Sequence, residues 1–492
     1  MRRFLYNPIV LTLLVVAAIF LIPQAAIASE EQYDYDLIIY GTSSSGIGAL
    51  RLFTMLRGTE FGNANTKLAI ISSSRNLETP LVNGLNTEDL FGGDLYANGL
   101  YKYFRENIIS YYQSKGINPL TNGRLSFESS AANNLLWWYI NYGSSYWDGT
   151  GRRNVSYFSA HLLGADPTSH AIDLMVEDEG ERRITGRYMI DASPTLDLAR
   201  MLGVSYRVGK DETIYNDILG NRPLEPTSEN GWITALQLMA GLPTFSWSKN
   251  NGTPIDNRWW LYDSSLYSPE RIADSVSLVG FKDSWSNKVS MIPYGKHELN
   301  EEWSDFQDPI ASFRYVFYRE ERGEIRARLM QEQLDKIRYL QENGYPDLNL
   351  VQTYPSPYFR GELMIASGLD RLTVDRVGTP EEEAIAFGFY NRYDRHEIKA
   401  VSKATLSETF LAVPYRIIFN SEIDWILVTD GACLDYQAYN GPFRMEPVRM
   451  NVGGAVGATI SLALKYDMRP AEVPYPELRR ILDQYQWRYW LR

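Results

Sequence analysis

The amino-acid sequence predicts an α/β fold that begins with a parallel β-α-β unit. The first observation is an apolar strand that leads through a glycine-rich turn into an apolar helix and a second strand, all within residues 34–71. That length, about 30 residues, is typical of one β-α-β unit. The second observation is an apolar strand and a helix rich in small residues close to the C-terminus. With 492 residues, of which 45% are hydrophobic and 22% charged, the chain is long enough for two domains.

The remaining elements follow from changes in periodicity along the chain. Glu/Arg pairs and apolar positions at three- and four-residue spacing predict a long helix over residues 320–343, ended by Gly344 and Pro346, and we interpret it as a solvated packing helix. Residues 213–296 are rich in Trp, Tyr, Asn, Gly and Pro and are interpreted as a loop-rich substrate region. The other predicted elements are strands over 37–40, 67–71, 187–191 and 423–429, a β-meander over 155–188, and helices over 47–56, 100–112, 453–464 and 476–492.

The N-terminus has the three parts of a secretory signal peptide. Arg2 and Arg3 precede an apolar stretch over residues 9–22, and a small-x-small site ends at Ala28. The apolar stretch is shorter than the roughly 20 residues that span a bilayer as a helix. We therefore expect a cleaved signal peptide over residues 1–28, export to the periplasm or the extracellular space, and no stable membrane insertion afterwards. An uncleaved anchor is the alternative.

Composition excludes several classes of function. The net charge of −12 and the pI of about 5.1 argue against a nucleic-acid partner, which requires a cationic face. A single cysteine, Cys433, excludes internal disulfides and Cys-ligated clusters. The four histidines are widely separated, so no metal site is predicted.

The turn after the first strand has the pattern of a nucleotide-binding turn. Gly41, Ser43 and Gly46 occupy the three positions of a G-x-G-x-x-G motif, with Ser45 in the same turn. Such a turn brings backbone N–H groups and the positive end of a helix dipole to a pyrophosphate. The acidic residue expected after the second strand is absent. Ser72 is expected to bind ribose instead and Arg75 a phosphate. Ordinary packing of strand and helix is the alternative.

Several segments together resemble the FAD-dependent oxidoreductase family whose members are often described as xanthan lyases or FAD-dependent dehydrogenases. The resemblance runs in order from Tyr35 to Arg492. It includes the opening strand and turn, a glycine-rich segment at Gly84 and Gly92, and a strand similar to the family's "IDAT". The matching segments of this chain are 36–47, 84–93, 189–193, 203–206, 413–416 and 423–428, and the closing "R-x-x-P-x-x-M-x-x-G-x-A-x-G" matches Arg444, Pro447, Met450, Gly453 and Gly457.

The resemblance implies FAD as the cofactor and a specific domain organisation. A Rossmann-like FAD-binding domain would combine residues 34–210 and 410–466, with a β-rich substrate or cap region inserted over 211–409 and a C-terminal helix over 467–492. In such proteins the closing helix points its N-terminus at the flavin, so cofactor contacts are expected from Asp430, Gly453, Gly454 and Gly457. Close helix packing also requires small residues at the three glycines and is compatible with flavin contact.

The chain departs from the family pattern at four places. The acidic residue after the second strand is Ser72, and the following Gly-Gly pair is Glu78-Thr79. The stretch after "IDAT" is 194–197, reading PTLD, and the "AGR" of the closing strand is Thr429-Asp430-Gly431. All four positions belong to backbone that normally approaches FAD in the family.

Candidate catalytic residues come from two segments that resemble the family. Tyr358 and Arg360 lie in a Pro-Tyr-Phe-Arg segment, and Asp394 and His396 keep a "D-x-H" pattern. His396 is a candidate general base because its ordinary pKa lies near neutrality, and Arg360 is a candidate for holding a carboxylate or a sugar oxygen. Structural roles for both are the alternative.

These features together predict an exported FAD-dependent oxidoreductase that acts on a small molecule, with a sugar derivative as the candidate substrate. Two alternatives stay open: a non-catalytic binding protein on a degenerate FAD-binding scaffold, and a polysaccharide lyase or hydrolase. The lyase or hydrolase has less support. The sequence shows no G-x-S-x-G elbow, and no pattern that combines a general acid, a general base and a group that neutralises an acidic sugar. The sequence does not identify the electron acceptor.

Overall fold

The computed structural model describes residues 33–88, 97–142, 155–225, 238–239, 243–249, 251–259, 262–273, 289–299, 309–359, 363–390 and 410–485. The strands in these ranges are β1 (Tyr35–Tyr40), β2 (Leu68–Ser72), β3 (Leu120–Thr121), β4 (Arg124–Leu125), β5 (Val155–Asp166), β6 (Ala171–Val176), β7 (Gly180–Asp191), β8 (Tyr206–Val208), β9 (Asp211–Tyr215), β10 (Leu238–Met239), β11 (Thr244–Trp247), β12 (Val289–Ile292), β13 (Lys296–Leu299), β14 (Leu348–Gln352), β15 (Tyr358–Phe359), β16 (Leu363–Ile365), β17 (Ala384–Phe389), β18 (Phe410–Pro414) and β19 (Ile426–Val428). The helices are α1 (Ser44–Leu56), α2 (Gly99–Gln113), α3 (Ser129–Tyr142), α4 (Asp197–Met201), α5 (Pro269–Ala273), α6 (Pro309–Phe317), α7 (Arg322–Glu342), α8 (Tyr436–Ala438), α9 (Glu446–Tyr466) and α10 (Tyr475–Gln484).

A parallel sheet with strand order β5-β2-β1-β7-β19 organises the fold. Ile39 of β1 pairs with Ile70 of β2 on one side and with Ile190 of β7 on the other. These central strands are buried and apolar along most of their length, as expected for a parallel sheet covered on both faces. The α/β class predicted from the sequence is therefore confirmed, and β19 brings a late part of the chain beside the first strands.

The predicted β-meander is also present. The long strands β5 and β7 pair in parallel with the central sheet at one end and in antiparallel fashion with β6 at the other. Ile172 and Leu174 of β6 are fully buried, whereas the turn between β6 and β7 is exposed. The strand β5 continues past the carboxyl end of β2, since Ser159 pairs with Ser72, the last residue of β2, and Ala160 begins the pairing with β6.

A second, smaller sheet lies in the middle of the sequence. It has the order β12-β13-β11-β14 and is antiparallel throughout. These strands have only four or five residues, too few for a periodic pattern to indicate them in a Trp- and Tyr-rich segment. Phe245 of β11 packs in one cluster with Leu334, Ile337 and Leu340 of α7.

The interpretation of residues 320–343 as a solvated helix was wrong for the second half of α7. Glu332, Asp335 and Lys336 are buried together with the apolar residues beside them. Lys336 forms an ion pair with Glu332 at 3.0 Å, and Gln331 donates a hydrogen bond to Asp335. Polar residues on every face made the helix look solvated. Internal pairing of these groups is what permits their burial.

The helices α1 and α9 cross in close contact beside the central sheet. A Cβ atom added to Gly453 would lie 1.8 Å from the carbonyl oxygen of Ser45, and one added to Gly457 would lie 2.2 Å from that of Ala49. Gly48 makes the reciprocal approach to the carbonyl oxygen of Met450. Glycines on both helices therefore let the two backbones touch, as small residues do at other close helix contacts.

Most helices begin close to their predicted positions, with two informative differences. The helix α1 begins at Ser44 because the Ser43 hydroxyl caps it. The helix α9 begins seven residues earlier than predicted, because Pro447 is well suited to a first helical turn. No helix in the described ranges is both long enough and apolar enough to cross a membrane.

Substitution of Gly457 by Ala should destabilise the protein by about 1–3 kcal/mol, because the new methyl group would collide with backbone that cannot rotate away. Urea denaturation followed by circular dichroism measures the change. Gly323→Ala in α7 is the matched control, since a Cβ atom there has no neighbour within 4 Å. The control should leave the midpoint unchanged or raise it slightly. Equal midpoints for the two variants would contradict the tight α1–α9 contact.

Candidate cofactor-binding site

The turn between β1 and α1 has the backbone shape that its glycines predict. Gly41 has φ of +105°, and a Cβ atom there would lie 2.6 Å from the carbonyl group of Ala192, at the end of β7. The Ser43 hydroxyl accepts a hydrogen bond from the N–H of Gly46 at 3.3 Å and so begins α1. The N-terminus of α1 therefore lies at the carboxyl ends of adjacent parallel strands, where open α/β sheets bind ligands.

Two carboxylates from the last part of the chain contact the N-terminus of α1. The Ser44 hydroxyl donates a short hydrogen bond to Glu446, and the Ser45 hydroxyl donates to Asp430 at 2.6 Å. Ser45 also lies 2.7 Å from the hydroxyl of Thr429. The side chains of both serines are fully buried. The first turn of α1 is therefore covered by side chains of this protein.

Arg449 joins the two carboxylates. Its guanidinium donates to Asp430 through Nε at 3.0 Å and through a shorter contact from Nη2, and it donates to Glu446 through Nη1 at 3.1 Å. All three side chains are at most 4% exposed. Burial raises the pKa of Glu446, while Arg449 and Ser44 oppose the rise. We call Asp430, Glu446 and Arg449 the carboxylate cluster.

Glu78 and Thr79 cover the other side of the same turn. Glu78 accepts a hydrogen bond from the N–H of Thr42 at 3.2 Å, and its own N–H donates to the Thr42 hydroxyl at 3.0 Å. The hydroxyl of Thr79 lies 2.7 Å from that of Ser44. Three of the four places where the sequence departs from the family pattern, Ser72, Glu78-Thr79 and Asp430, therefore supply side chains around the turn.

A small cleft that is open to solvent lies beside the turn at the carboxyl ends of β1, β2 and β7. Arg322 forms a two-point ion pair with Asp197, with its Nη1 2.6 Å from Oδ2. Burial by itself would raise the pKa of Asp197, but Arg322 outweighs that effect and holds it below its ordinary value. The side chains that line the cleft are Tyr40, Ser73, Glu78, Ser193, Pro194, Thr195, Asp197, Tyr315, Arg322, Arg326, Ser356, Pro357 and Phe359.

Arg326 is the second guanidinium in the cleft, and its contacts differ from those of Arg322. Its Nε donates to the Tyr315 hydroxyl at 3.0 Å, and its Nη2 lies 3.3 Å from the Ser73 hydroxyl. Both of these partners are neutral hydroxyl groups. The positive charge of Arg326 thus faces the cleft beside hydroxyl groups of Ser73, Ser193 and Thr195.

Asp191 fixes the wall of the cleft that follows β7. Its carboxylate accepts hydrogen bonds from the N–H and hydroxyl of Ser193, at 2.8 and 2.7 Å, and from the N–H of Ala199 at 2.8 Å. Burial raises the pKa of Asp191 to about 7, although these hydrogen bonds lower it. The buried carboxyl group therefore holds the loop between β7 and α4 in place.

The predicted cofactor residues fall into three groups. Gly41, Ser43, Ser45 and Gly46 form the turn, Asp430 contacts Ser45, and Ser72 lies 2.9 Å from the Thr42 hydroxyl. Gly453, Gly454 and Gly457 lie in the α1–α9 crossing. Gly41–Gly46 and Gly453–Gly457 converge, as a shared site requires, but they meet in a closed contact and not on an open cleft.

Arg75 lies away from the turn. Its guanidinium pairs with Glu177 at 2.9 Å and with Asp178, and its side chain is 66% exposed. The strand β2 ends before Arg75, and the turn between β6 and β7 supplies both carboxylates. In this structure these two carboxylates hold the guanidinium, and the contact of Arg75 with a phosphate stays a prediction.

Of the predicted catalytic residues, the structure describes Tyr358. Its hydroxyl accepts a hydrogen bond from Arg444 at 2.6 Å, just before the start of α9. Arg360, Asp394 and His396 lie outside the described residues, and their roles remain predictions. In the described ranges, no group of three or more His, Cys, Asp or Glu side chains is arranged to hold a metal ion.

Sequence reasoning missed Glu446, Arg449, Arg322 and Arg326. One signal was present for the first two: they are charged residues three positions apart at the start of a helix otherwise rich in small apolar residues. Arg322 and Arg326 are four residues apart and so share a face of α7. Nothing in the local pattern indicates that this face meets the carboxyl ends of β1 and β2.

Comparison with known proteins identifies the family. The profile of the family described as "FAD dependent oxidoreductase" matches residues 94–482. The chain belongs to this family. Membership supports FAD as the cofactor of this chain, in agreement with the resemblance seen in the sequence. No curated protein matches the chain.

Solved structures of flavoenzymes are among those to which the chain is similar. A triple mutant of the flavin-dependent brominase Bmp2 is 8% identical, with 92% of this chain and 84% of that chain covered and a TM-score of 0.38. CtdE, in complex with FAD and a substrate, is 9% identical, with 92% and 87% covered and a TM-score of 0.34. AlpK is 10% identical with a TM-score of 0.23; the match covers 44% of this chain and 37% of the length of AlpK.

The residues of the glycine turn and of the cleft are of the types that bind FAD. The glycine turn and the N-terminus of α1 are suited to a pyrophosphate, and the cleft offers hydroxyl groups and the Arg326 guanidinium to an adenosine and its phosphates. One feature differs from what the glycine motif predicts. The motif directs the first turn of α1 toward an anion of the cofactor, whereas in this structure Glu446 and Asp430 contact that turn.

Arg449→Met should lower the free energy of unfolding by about 3–5 kcal/mol, because it leaves Asp430 and Glu446 buried without their cation. Denaturant titration at neutral pH measures the loss. Arg75→Met is the control, since it removes an exposed ion pair and should leave the stability nearly unchanged. A similar, small effect of both substitutions would show that the carboxylate cluster does not depend on Arg449.

Proposed function

We propose that this chain is an exported FAD-dependent oxidoreductase that acts on a small molecule, with a sugar derivative as its substrate class. The observation that carries the proposal is the match of residues 94–482 to the FAD dependent oxidoreductase family. The charged, apolar and small-residue segments of residues 1–28 support export. The 34 tyrosines and 12 tryptophans support a substrate with a flat, partly apolar face.

Bound FAD would supply the electron transfer, and the residues of the chain supply binding and orientation. The N–H groups at the start of α1 would hold the pyrophosphate. In the adjoining cleft, the hydroxyl group of Thr195 would bind ribose, and Arg326 would bind a phosphate oxygen. A guanidinium is suited to that task, since it makes strong, directional hydrogen bonds to phosphate.

The substrate would lie on the side of Tyr358. The hydrogen bond from Arg444 fixes the Tyr358 phenol beside the start of α9, and a fixed phenol can position a substrate hydroxyl. We further propose that His396 takes the proton of a substrate alcohol, that Asp394 orients His396, and that Arg360 holds a carboxylate or sugar oxygen.

The first test is the absorbance spectrum of the purified mature protein, followed by release of flavin on denaturation. Bands at about 370 and 450 nm are expected from a flavin cofactor. Released FAD should then be titrated back and followed by quenching of its fluorescence. A colourless protein that also takes up no added FAD would contradict the proposal.

Arg326→Met should weaken FAD binding by about tenfold or more, because it removes the cation that faces the cleft beside Ser73. Fluorescence titration of FAD measures the dissociation constant. Arg75→Met is the matched control. Arg75, like Ser73, follows β2, but its guanidinium forms an ion pair with Glu177. Weaker binding by the Arg75 variant and not by the Arg326 variant would reverse the assignment.

A second candidate function is a non-catalytic binding protein on the same scaffold. The specific observation that favours it is the complete burial of Ser44 and Ser45 beneath the carboxylate cluster. The same FAD titration separates the two candidates, since a folded protein that takes up no FAD is the result expected from the second.

A further inference from the structure

The N-terminus of α1 is a place where backbone N–H groups and the helix dipole favour a negative charge. In this structure, carboxylates of the protein itself lie there. Glu446 accepts the hydrogen bond of the Ser44 hydroxyl and lies 3.5 Å from that of Thr79, and Asp430 accepts the hydrogen bond of Ser45. The three contacts join parts of the chain 367, 385 and 402 residues apart in sequence.

The carboxylate cluster keeps a negative charge at this helix end. With both carboxylates ionised, Asp430 and Glu446 contribute two negative charges and Arg449 one positive charge, so the sum is −1. Glu78, which accepts from the N–H of Thr42, adds a further acidic group on the other side of the turn. Side chains of the protein thus place negative charge at the positive end of the α1 dipole.

A phosphate and a carboxylate compete for one helix end. Both are anions that bind hydroxyl and N–H donors, and in a buried site like charges at short distance repel strongly because little water screens them. Glu446 is the carboxylate that can be spared, because Arg449 keeps its two contacts with Asp430 when Glu446 is neutral. Asp430 accepts two of the three hydrogen bonds of Arg449, so its displacement would break more of them.

We propose that the Glu446 carboxylate is an internal competitor of the cofactor's pyrophosphate at the N-terminus of α1, and that its displacement from Ser44 limits the affinity of this chain for FAD. This inference rests on the proposed function, since it assumes that FAD is the ligand. It assigns Glu446 a role in setting affinity, and it explains why side chains of the protein itself cover a glycine turn of the right shape.

The test is FAD affinity, measured by fluorescence titration on the full mature chain. Glu446→Gln keeps the shape and the hydrogen bond to Ser44 but removes the charge, and it should bind FAD about tenfold more tightly than the original protein. Glu446→Asp keeps the charge and should not bind more tightly. Asp217→Asn is the matched control, because it neutralises another buried carboxylate, paired with Arg200 at 2.8 Å, and should leave FAD affinity unchanged.

A second variant covers the case in which Glu446→Gln does not fold, which circular dichroism and a thermal melt would reveal. Ser44→Ala removes the hydroxyl that holds Glu446, changes a single small side chain, and should also tighten FAD binding. If the original protein binds FAD but neither variant binds it more tightly, the inference is wrong and the proposed cofactor stands. If no folded variant binds FAD at all, both the inference and the proposed function are wrong.

Discussion

The contact between α1 and α9 is the constraint on which the rest of this structure depends. Two glycines of α9 and one of α1 bring the helix backbones together, so the start of α9 is held directly beside the first turn of α1. Every group that surrounds the candidate site on that side, from Asp430 at the end of β19 to Arg449, takes its position from this crossing. A larger residue at the crossing would separate the helices and open the carboxylate cluster to water.

Local patterns predicted the parts of the fold whose causes are local. The turn from Gly41 to Gly46 could be recognised because a positive φ and a close approach to β7 require glycine at one position. The meander could be recognised because its strands follow one another. The burial of Glu332 and Lys336 could not be predicted, since it depends on a pairing within α7 and on which elements cover that helix.

The candidate site also combines features that local sequence patterns indicate with features that depend on contacts between distant segments. Arg75 was expected at a phosphate because it follows β2 directly. The guanidinium groups that line the cleft are those of Arg322 and Arg326, and Arg326 lies 253 residues after its partner Ser73. The departures from the family pattern were visible in the sequence. The sequence does not indicate that Glu78, Thr79 and Asp430 all lie around one turn. Their proximity follows from the sheet order, which places β2 and β19 on either side of β1 and β7.

The pairing of the first helix with the last long helix has a consequence for biosynthesis. The helix α1 meets its partner α9 about 400 residues later in the chain, so at ribosomal speeds of about 5–20 residues per second the wait lasts on the order of 20 to 80 seconds. During that interval the side of α1 that packs on α9, with Ser45, Gly48 and Ala49, has no native neighbour there. Contacts so distant in sequence also form slowly. The crossing of α1 and α9 can therefore form only after residues 446–466 have been made.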